Sequence, residues 1–401
     1  MKDDPATIDW IETQKEIMLA RVIDWAEINS HSLNLNGLEV MYASLERDFS
    51  ILQCQTKKIP LSPMTTISPQ GQPTSLSLGS CLLLTKRPEA QIQLFFGGHM
   101  DTVYPVDSAF QNTEMIDANT LRGPGVTDMK GGLAVMLTAL EAFEKSPHAE
   151  KVGYRILINS EEEIGSPGST PYFEEMAEGC QAAFLFEPAF PDRTLASARK
   201  GSANYTILVN GQSAHAGRDF FSGKSAVATL SELLVDIHLL NHPEKETTLN
   251  LGYVYGGGPV NIVPDLAICR LNVRTATEED MTTTERQLDD MIQTLARKHS
   301  VKCRLVCESK RPPKLFDEKT EKLFKGLKTC AQELGQTLKW HPTGGACDGN
   351  TIATMGIPTI DTCGVVGGHI HTPDEFLTVD SLVEKSKWVA HALTKIAKGQ
   401  L

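Results

Sequence analysis

The sequence lacks the features that mark membrane proteins, secreted proteins and nucleic-acid-binding proteins. None of its apolar runs approaches the ~20 residues that a membrane-spanning helix needs, so no membrane span is predicted. The first four residues are not a basic region followed by an apolar core, so no signal peptide is predicted. A basic excess is also missing, because the net charge is −12, and without a basic patch a nucleic-acid partner is not expected.

The sequence also lacks a cysteine pattern typical of disulfide-bonded or zinc-binding proteins. The nine cysteines show no disulfide-framework spacing, which suits a reducing compartment and predicts a cytoplasmic protein. Cys303 and Cys307 lie four residues apart without a second pair, so they are interpreted as strand or core residues and not as a zinc site. With 401 residues, 41% of them hydrophobic and 22% charged, the chain is long enough for two domains with their own cores.

What the sequence does contain is a set of carboxylate and histidine segments, most of them just after an apolar run. The first comprises His99 and Asp101, which follow the run 94–98. Residues two apart on an extended segment point the same way, so Asp101 can hydrogen-bond the far ring nitrogen of His99. This arrangement is the usual one around a histidine that binds a metal.

Asp128 lies in the second segment, 123–132, which contains four glycines and a proline. Glycines allow tight turns and a close approach of the backbone to a ligand. A helical pattern follows from Leu133 to Lys145, so Asp128 is either a helix cap or a ligand-binding residue. Because capping does not require glycines on both sides, the ligand interpretation is favoured.

Three further segments add acidic and imidazole groups. After the strand-like run 154–159 come adjacent glutamates at 161–163, which repel one another unless cations or protons neutralise them. Glu187 ends another strand-like run and precedes a proline, a position that solvation explains poorly. His369 and His371 belong to the last segment, which also follows a β-rich run.

The distribution of strand-like and helix-like segments predicts an α/β domain into which a second domain is inserted. Up to about residue 197, and again from about 311, strands alternate with helices, which is typical of a mostly parallel sheet covered by helices. Residues 198–310 instead predict a two-layer α+β unit. Its expected elements are, in order, strand 205–210, helix 225–240, strands 249–255 and 267–275, helix 278–299 and strand 301–307. Residues 308–314 are interpreted as the returning linker, and 62–80 as an exposed loop or hairpin.

Together these segments resemble the M20 family of zinc metallohydrolases, which includes glutamate carboxypeptidase, aminoacylase and succinyl-diaminopimelate desuccinylase. The resemblance extends from about Ile23 to the end of the chain and is greatest to the glutamate carboxypeptidase branch. Its motifs, in the family's order, are GHMDTVYP, GPGVTDMKGG, NSEEEIGSPGS, FEP, GQSAHAG, GGGPVNIVP with the run that ends at Arg274, GGACDGN and HTPDEF. The resemblance implies a zinc-exopeptidase-like catalytic domain, residues 1–197 and 311–401, with the βαββαβ unit 198–310 acting in dimerisation or as a lid.

The resemblance also implies a site for two zinc ions, for which cobalt and manganese would suit the same donors. The implied ligands are His99 and Glu187 for one ion, Glu163 and His371 for the other, and Asp128 for both. Glu162 would be the general base, and Asp101, the carboxylate beside His99, is also expected to be a catalytic residue. A cis peptide bond is implied between Asp128 and Met129.

Five positions are implied to contact the substrate. His215 would stabilise the oxyanion, reaching the site by domain closure or from the second chain of a homodimer. Asn261 and Arg274 would hold the substrate's carboxylate, on which arginine has a bidentate grip. Gly344 and Gly345 would bring backbone donors to the substrate.

Two residues depart from the family's pattern. His369 stands where this branch commonly has a glycine, and it is a bystander, a substrate contact or a rival of His371 as ligand. Cys347 replaces a common serine and is expected to be buried as a small apolar residue. Neither change touches an expected ligand.

The predicted activity is hydrolysis of an amide or peptide bond that frees an amino acid with a free carboxylate, as in a glutamate carboxypeptidase. An aminoacylase or deacylase acting on N-acyl amino acids is the alternative within this class, because the loops that build the side-chain pocket cannot be placed from sequence. A less favoured alternative is a non-catalytic binding protein with the same fold. Such a protein would be expected to lack Glu162 or a metal ligand, yet every expected position is filled. The expected partners are a small peptide or N-acyl amino acid substrate and a second copy of the chain.

Overall fold

The computed structural model describes residues 5–401. Its α-helices are α1 Pro5–Glu12, α2 Lys15–Ala26, α3 Leu35–Phe49, α4 Gly131–Glu144, α5 Thr170–Ala177, α6 Ala226–His238, α7 Glu278–His299, α8 Glu318–Glu333, α9 Gly349–Thr354 and α10 Asp380–Ala397. Its strands are β1 Gln55–Pro60, β2 Met64–Ile67, β3 Pro73–Leu76, β4 Ser80–Lys86, β5 Ile92–His99, β6 Glu114–Asp117, β7 Thr120–Arg122, β8 Val152–Asn159, β9 Ala182–Leu185, β10 Leu195–Arg199, β11 Gly201–Asn210, β12 Thr248–Gly256, β13 Leu266–Thr275, β14 Lys302–Arg311, β15 Trp340–Thr343, β16 Thr359–Ile360, β17 Gly367–Gly368 and β18 Phe376–Thr378. Within residues 5–401, the helices are all too short or too polar to cross a bilayer.

The largest sheet has the strand order β1-β4-β8-β5-β9-β16. Strands β8, β5, β9 and β16 pair in parallel, whereas β4 runs antiparallel to its neighbours β1 and β8. Five of the six strands therefore run in one direction, which confirms the expected mostly parallel sheet.

Helices cover both faces of this sheet. Leu94 and Phe96 of β5 enter a core with α2, α4 and α10, whereas Phe95 enters the opposite core with Phe173 of α5. A strand that is buried on both faces needs consecutive apolar residues, because successive side chains point to opposite sides. This burial explains why the run before His99 is apolar throughout.

Strands β12, β13, β11 and β14 form a separate antiparallel sheet in that order. Helices α6 and α7 cover one of its faces and share a core of their own with it. The chain order β11-α6-β12-β13-α7-β14 is the predicted βαββαβ unit, and the second helix has the predicted bounds. The domain boundaries at 198 and 310 stay predictions.

One prediction about this unit was wrong. Residues 308–311 were assigned to the returning linker, but they continue β14, because their pairing with β11 extends to the pair Ser202 and Arg311. The two prolines at 312 and 313 end the strand, so the linker begins only there.

The segment 62–80, expected as a loop or hairpin, is a hairpin of β2 and β3. Its turn packs against the inserted sheet: Gly71, at a φ of +73°, leaves no room for a Cβ because Leu208 and Leu266 lie too close. Arg270 of β13 donates a hydrogen bond of 2.6 Å to the carbonyl of Ile67. The hairpin, which lies between β1 and β4 in the chain, therefore connects the part of the chain with the main sheet to the inserted sheet.

The carboxyl ends of β8, β5 and β9 lie side by side, which is where open α/β sheets place their sites. This topology brings His99, the glutamates 161–163 and Glu187 to one edge of the main sheet. A small sheet of β17, β18, β7 and β6 carries the segment with His369 and His371 to the same edge.

Candidate metal centre and substrate site

His99 is buried at the end of β5, and both of its ring nitrogens have partners. Nε2 lies 3.1 Å from Asp128 Oδ1 and 3.9 Å from Glu187 Oε2. Nδ1 lies 3.0 Å from the carbonyl oxygen of Asp101 and 3.3 Å from its carboxylate. Asp101 therefore lies at the far nitrogen, where the sequence predicts its carboxylate, but the shorter contact is with its backbone carbonyl; the near nitrogen lies beside the acidic cluster.

Asp101 has a second role that sequence reasoning missed. Its buried carboxylate accepts hydrogen bonds from Ser32 Oγ at 2.6 Å and from the backbone N–H groups of Glu162 and Glu163 at 3.1 and 3.2 Å. One side chain thus orients His99 and also fixes the turn that carries the two glutamates. No side-chain pattern reveals this role in the sequence, because two of the donors are backbone groups.

Asp128 is not a helix cap. Helix α4 begins at Gly131, and the peptide bond between Asp128 and Met129 is cis, as the family resemblance implies. The two carboxylate oxygens of Asp128 face two imidazoles, His99 at 3.1 Å and His371 at 3.4 Å. Burial acts to raise the pKa of Asp128, but the contacts with His371 and His99 hold it below its ordinary value.

Glu163 and His371 form the other half of the cluster. His371 Nε2 lies 3.3 Å from Glu163 Oε2, and the hydrogen bonds to Asp128 and Glu163 raise the pKa of His371 to about 11. Burial, followed by repulsion from Asp128, raises the pKa of Glu163 to about 8. Its Oε1 is buried without a hydrogen-bond partner among residues 5–401. Burial likewise raises the pKa of Glu187 well above its ordinary value.

This donor set fits a metal centre. Ligand atoms of His99, Asp128 and Glu163 lie within 4.8 Å of one another, and Glu187 and His371 contact the same group. Imidazole nitrogens and carboxylate oxygens are ligands of zinc and of neighbouring divalent metals. A cation would neutralise carboxylates that burial otherwise penalises, and it would give Glu163 Oε1 its missing partner.

Glu162 contacts Arg311, a residue of β14. Arg311 Nη2 lies 2.9 Å from Glu162 Oε1 and 2.9 Å from both Asp348 Oδ1 and Ser166 Oγ. Burial raises the pKa of Glu162 to about 7, although Arg311 acts to lower it. Sequence reasoning missed the roles of both partners: Arg311 gave no signal beyond that of a surface residue, and Asp348 was noted only as part of the GGACDGN motif.

Two further buried carboxylates position the loops of the site. Glu161 accepts hydrogen bonds from the backbone N–H groups of Gly168 at 2.9 Å and Ser169 at 3.0 Å. Glu375 accepts three backbone N–H bonds of 2.8–3.0 Å from the loop 125–128. Both glutamates lie in motifs that the sequence shows, but their anchoring roles were not predicted.

Two cavities flank the cluster and share the residues Glu162, Glu163, Arg274, Ala346 and His371. The first, of about 520 Å³, is bounded by the face of the inserted sheet that carries no helices, and we name it the sheet-face cavity. The second, of about 390 Å³, is lined by the loops 187–191 and 367–371, and we name it the loop cavity.

Of the predicted substrate residues, Gly345 lines the loop cavity, whereas Arg274 lines both cavities. Its Nε donates to Asn272 Oδ1 at 3.0 Å and its Nη1 donates to the carbonyl of Gly344 at 2.5 Å. The carbonyl of Gly345 accepts from Arg199 at 3.3 Å. The two glycines therefore use their carbonyls to hold arginines, and donation from their N–H groups to a substrate stays a prediction.

His215 and Asn261 lie together, but apart from Arg274. The carbonyl of Asn261 accepts a 2.9 Å hydrogen bond from the N–H of Ala216, and both predicted site residues are exposed. Of the residues that the structure describes, neither of these two lines the sheet-face cavity or the loop cavity. Within one chain, His215 and Asn261 are therefore not assembled with the acidic cluster.

The two departures from the family's pattern have different surroundings. His369 is exposed, lines the loop cavity and has its ring 5.8 Å from that of Phe376. In the described part of the chain, it is His371 that contacts the acidic cluster. Cys347 is buried as expected, and burial raises the pKa of its thiol well above the ordinary value.

Comparison with known proteins identifies the family. Residues 95–395 match the model of peptidase family M20/M25/M40. The chain belongs to this family. Membership confirms the predicted metallohydrolase, and it agrees with the sequence motifs on which the resemblance rested.

Curated relatives with two different activities match most of the chain. Carboxypeptidase G2 from Pseudomonas sp. (strain RS-16) is 26% identical over 310 residues, which are 77% of this chain and 74% of the relative. Succinyl-diaminopimelate desuccinylase from Ruthia magnifica subsp. Calyptogena magnifica is 26% identical over 324 residues, 75% of this chain and 83% of the relative.

Solved structures share the fold. A tripeptidase from Staphylococcus aureus subsp. aureus mu50 has a TM-score of 0.75 at 22% identity and covers 96% of this chain and 99% of its own. An M20 family metallo-carboxypeptidase from Sulfolobus solfataricus has a TM-score of 0.72 at 17% identity, with coverage of 95% and 99%. These matches confirm the predicted fold class.

Proposed function

We propose that this protein is a two-metal hydrolase that cleaves an amide bond and releases an amino acid with a free carboxylate, as a glutamate carboxypeptidase does. One observation carries the proposal: the side chains of His99, Glu163, Glu187 and His371 converge around Asp128, and Arg274 lines both cavities beside them. The site thus combines ligands for cations with a group that recognises an anion.

The proposed ligands keep the roles that the family resemblance implies. They are His99 and Glu187 for one zinc ion, Glu163 and His371 for the other, and Asp128 for both. Bound there, two divalent cations would supply an activated water molecule and polarise the carbonyl of the scissile amide. The protein's own contribution is to hold the ligands, and Asp101 does so for His99 and for the turn with Glu163.

Glu162 is the proposed general base. It borders both cavities, lies beside the proposed ligand Glu163 and is held by Arg311. Burial brings its pKa to about 7, near the pH at which such a group must accept and release a proton. It takes the proton of the attacking water and delivers it to the leaving nitrogen.

Arg274 is the proposed reader of the substrate's carboxylate. Its bonds to Asn272 and Gly344 fix the plane of the guanidinium, and a planar guanidinium pairs with a carboxylate through two hydrogen bonds. A carboxypeptidase and a deacylase of N-acyl amino acids both need this contact, because both release an amino acid that bears a carboxylate. Peptidyl and N-acyl substrates that share one amino acid would separate these two activities.

The test compares substrates that end in a free carboxylate with their amidated analogues. Arg274→Ala should lower kcat/KM by about 10- to 100-fold for the free acids, since a charge-assisted pair contributes roughly 1.5–3 kcal/mol. The amidated analogues should lose much less. Equal losses on both series would show that Arg274 is structural.

We further propose that the inserted unit, residues 198–310, forms a homodimer and lends His215 and Asn261 to the partner's site. The unit exposes apolar side chains on the loops that carry the two residues, on the edge strand β12 and on helix α6, and exposed apolar surface is typical of a protein interface. These side chains are Phe220, Phe221, Val235, Leu239, Tyr253, Val254, Tyr255, Val260 and Ile262. Phe221 and Val260 are almost fully exposed in the single chain, and a second chain would cover them.

Mixing inactive chains tests this arrangement. A heterodimer of His215→Ala and Glu162→Gln chains regains one complete site if His215 acts on the partner's cluster, so activity should return. The matched control mixes Glu162→Gln with Asp128→Ala chains, which damage both clusters and should stay inactive. If verified subunit exchange restores no activity in the first mixture, or if the protein is a monomer by light scattering, the shared site is refuted.

A further inference from the structure

The inserted sheet presents a row of amide side chains to the sheet-face cavity. Along β13, Leu271 and Val273 enter the core under α6 and α7, so Asn272 and Arg274 point to the other face. Asn272 pairs with Asn204 of β11 on one side and with Asn250 of β12 on the other. All three asparagines line the cavity.

This row is unusual for a β-sheet, because asparagine is depleted in strands. Asn272 Nδ2 donates to Asn204 Oδ1 at 2.8 Å and to Ser202 Oγ at 3.0 Å, and Asn204 Nδ2 donates to Ser309 Oγ at 2.9 Å. The side chain of Asn250 makes no hydrogen bond within residues 5–401, although it lies at the same level of the sheet. The row is therefore an ordered set of three amide side chains, and among the described residues that of Asn250 makes no hydrogen bond.

The row is tied to the residue that reads the substrate. Asn272 Oδ1 accepts from Arg274 Nε at 3.0 Å, so the amide row lies directly beside the guanidinium. In the sheet register Thr248, Arg274, Ser202 and Arg311 form the neighbouring row, which ends at the side chain that holds Glu162. A substrate anchored at Arg274 thus has the amide row next to it.

The face is a wall of the site and not a free surface. Gly165, two residues after Glu163, has a φ of +98°, and a Cβ there would lie 2.6 Å from the Cβ of Ser309. The turn 161–166, which carries Glu162 and Glu163 and which we name the catalytic turn, therefore packs on the sheet at this point. Among the described residues that line the cavity there is no Phe, Tyr or Trp, and its carboxylates are those of Glu162 and Glu163. Beside the charged side chains of Arg274 and Arg311, the asparagines of the wall offer uncharged hydrogen-bonding groups.

We propose that this amide row is a subsite for the acyl part of the substrate, and that this part is a peptide chain. The inference rests on the proposed function and names its substrate class. A carboxamide both donates and accepts, as a peptide group does, so Asn250 and its neighbours can pair with backbone N–H and C=O groups. Four adjacent strands at ~4.8 Å spacing make a wall roughly 14 Å wide. That width matches about four extended residues and exceeds a single released amino acid.

The experiment uses four substrates that share one C-terminal amino acid and differ in the acyl group. The groups are acetyl, acetyl-triglycyl, octanoyl and the polyhydroxyl gluconoyl. Wild-type enzyme should have a kcat/KM at least ~10-fold higher for the triglycyl substrate than for the acetyl substrate, mainly through KM. Asn250→Leu should remove most of this preference, so that the kcat/KM values for the two substrates become similar. The matched control is Asn210→Leu, the same change at an exposed end of β11 outside both cavities, and it should keep the ratio.

Two results would overturn the subsite. The first is that the ratio of kcat/KM for the triglycyl substrate to that for the acetyl substrate stays at the wild-type value in both Asn250→Leu and Asn250→Ala. The other is an octanoyl or gluconoyl substrate that gains as much as the peptide, which would indicate an alkyl or sugar-like acyl group instead. If wild-type enzyme cleaves none of the four, the proposed function fails separately. Calorimetric binding of the triglycyl compound, with and without Asn250→Leu, then decides the subsite: a loss of affinity supports it and an equal affinity refutes it.

Discussion

Arg311 ties the inserted sheet to the catalytic turn, and its replacement by leucine tests this part of the account. Its Nη2 lies 2.9 Å from Glu162 Oε1, Asp348 Oδ1 and Ser166 Oγ, and 3.0 Å from the carbonyl of Glu162. The side chain is 11% exposed, and the two carboxylates are 10% and 4% exposed. Leucine keeps part of the apolar stem and removes every one of these bonds.

The expected loss of stability follows from the charges that remain. Removing one partner of a buried ion pair costs roughly 3–5 kcal/mol, because the other partner stays buried without compensation. Asp348 keeps bonds from Asn159 and Ser166, which places the expected loss for Arg311→Leu near 3 kcal/mol. Glu162 keeps no other side-chain donor within residues 5–401, so turnover should also fall by about 10-fold or more as the proposed base loses its position.

Urea unfolding and steady-state kinetics at matched metal content measure both effects. Arg122→Leu is the matched control, since Arg122 pairs with Glu114 at the same distance of 2.9 Å but the two side chains are 40% and 59% exposed. An exposed pair contributes less than ~1 kcal/mol. If the two variants lose the same free energy of unfolding, Arg311 does not join the inserted sheet to the catalytic turn energetically.

Three further predictions concern single side chains. Glu162→Gln should lower turnover by at least ~10²-fold with unchanged metal content, and near-normal turnover would refute its role as base. Asp361 contacts the buried Lys314 at 2.8 Å and Arg199 at 2.7 Å, so Asp361→Leu should reduce the free energy of unfolding by ~3–5 kcal/mol in urea titrations, and a loss below ~1 kcal/mol would contradict the pairing. Burial lowers the pKa of Lys385 from 10.5 to about 8, so its charge opposes folding below pH 8 and the penalty fades as the pH rises toward 10.5. Lys385→Met should therefore stabilise the protein by roughly 3 kcal/mol at pH 7 and by less at pH 9.5, and a gain that is independent of pH would count against this reasoning.

The fold and the proposed ligands were predictable because their signals are local. Helix α7 has the bounds that its apolar spacing and flanking residues predict, and β5 is recognisable as an apolar run that ends at His99. Each proposed ligand lies just past a strand or in a glycine-rich turn, where the topology of a parallel sheet brings residues together. Membership of the family then gave each of them an expected role.

The supporting residues were not predictable, because their partners are distant or belong to the backbone. Glu375 binds N–H groups about 250 positions earlier, and Arg311 meets Glu162 across 149 positions. In the sequence Arg311 looks like a surface residue, and the HTPDEF motif contains Glu375 without showing which groups it binds. The end of β14 was misplaced because two prolines suggested a linker, whereas pairing with β11 persists to the residue before the first proline. Asn261 was grouped with Arg274, but its loop lies with His215 on an exposed part of the chain.

Metal stoichiometry tests the central claim most directly. Wild-type protein, loaded with zinc and freed of unbound metal, should contain two ions per chain by plasma mass spectrometry. Asp128→Ala removes the ligand shared by both ions and should leave at most one, whereas Asp374→Ala, a change at an exposed aspartate of the neighbouring loop, should keep two. One ion per chain in fully loaded wild-type protein, or two ions in Asp128→Ala, would contradict the shared-ligand centre.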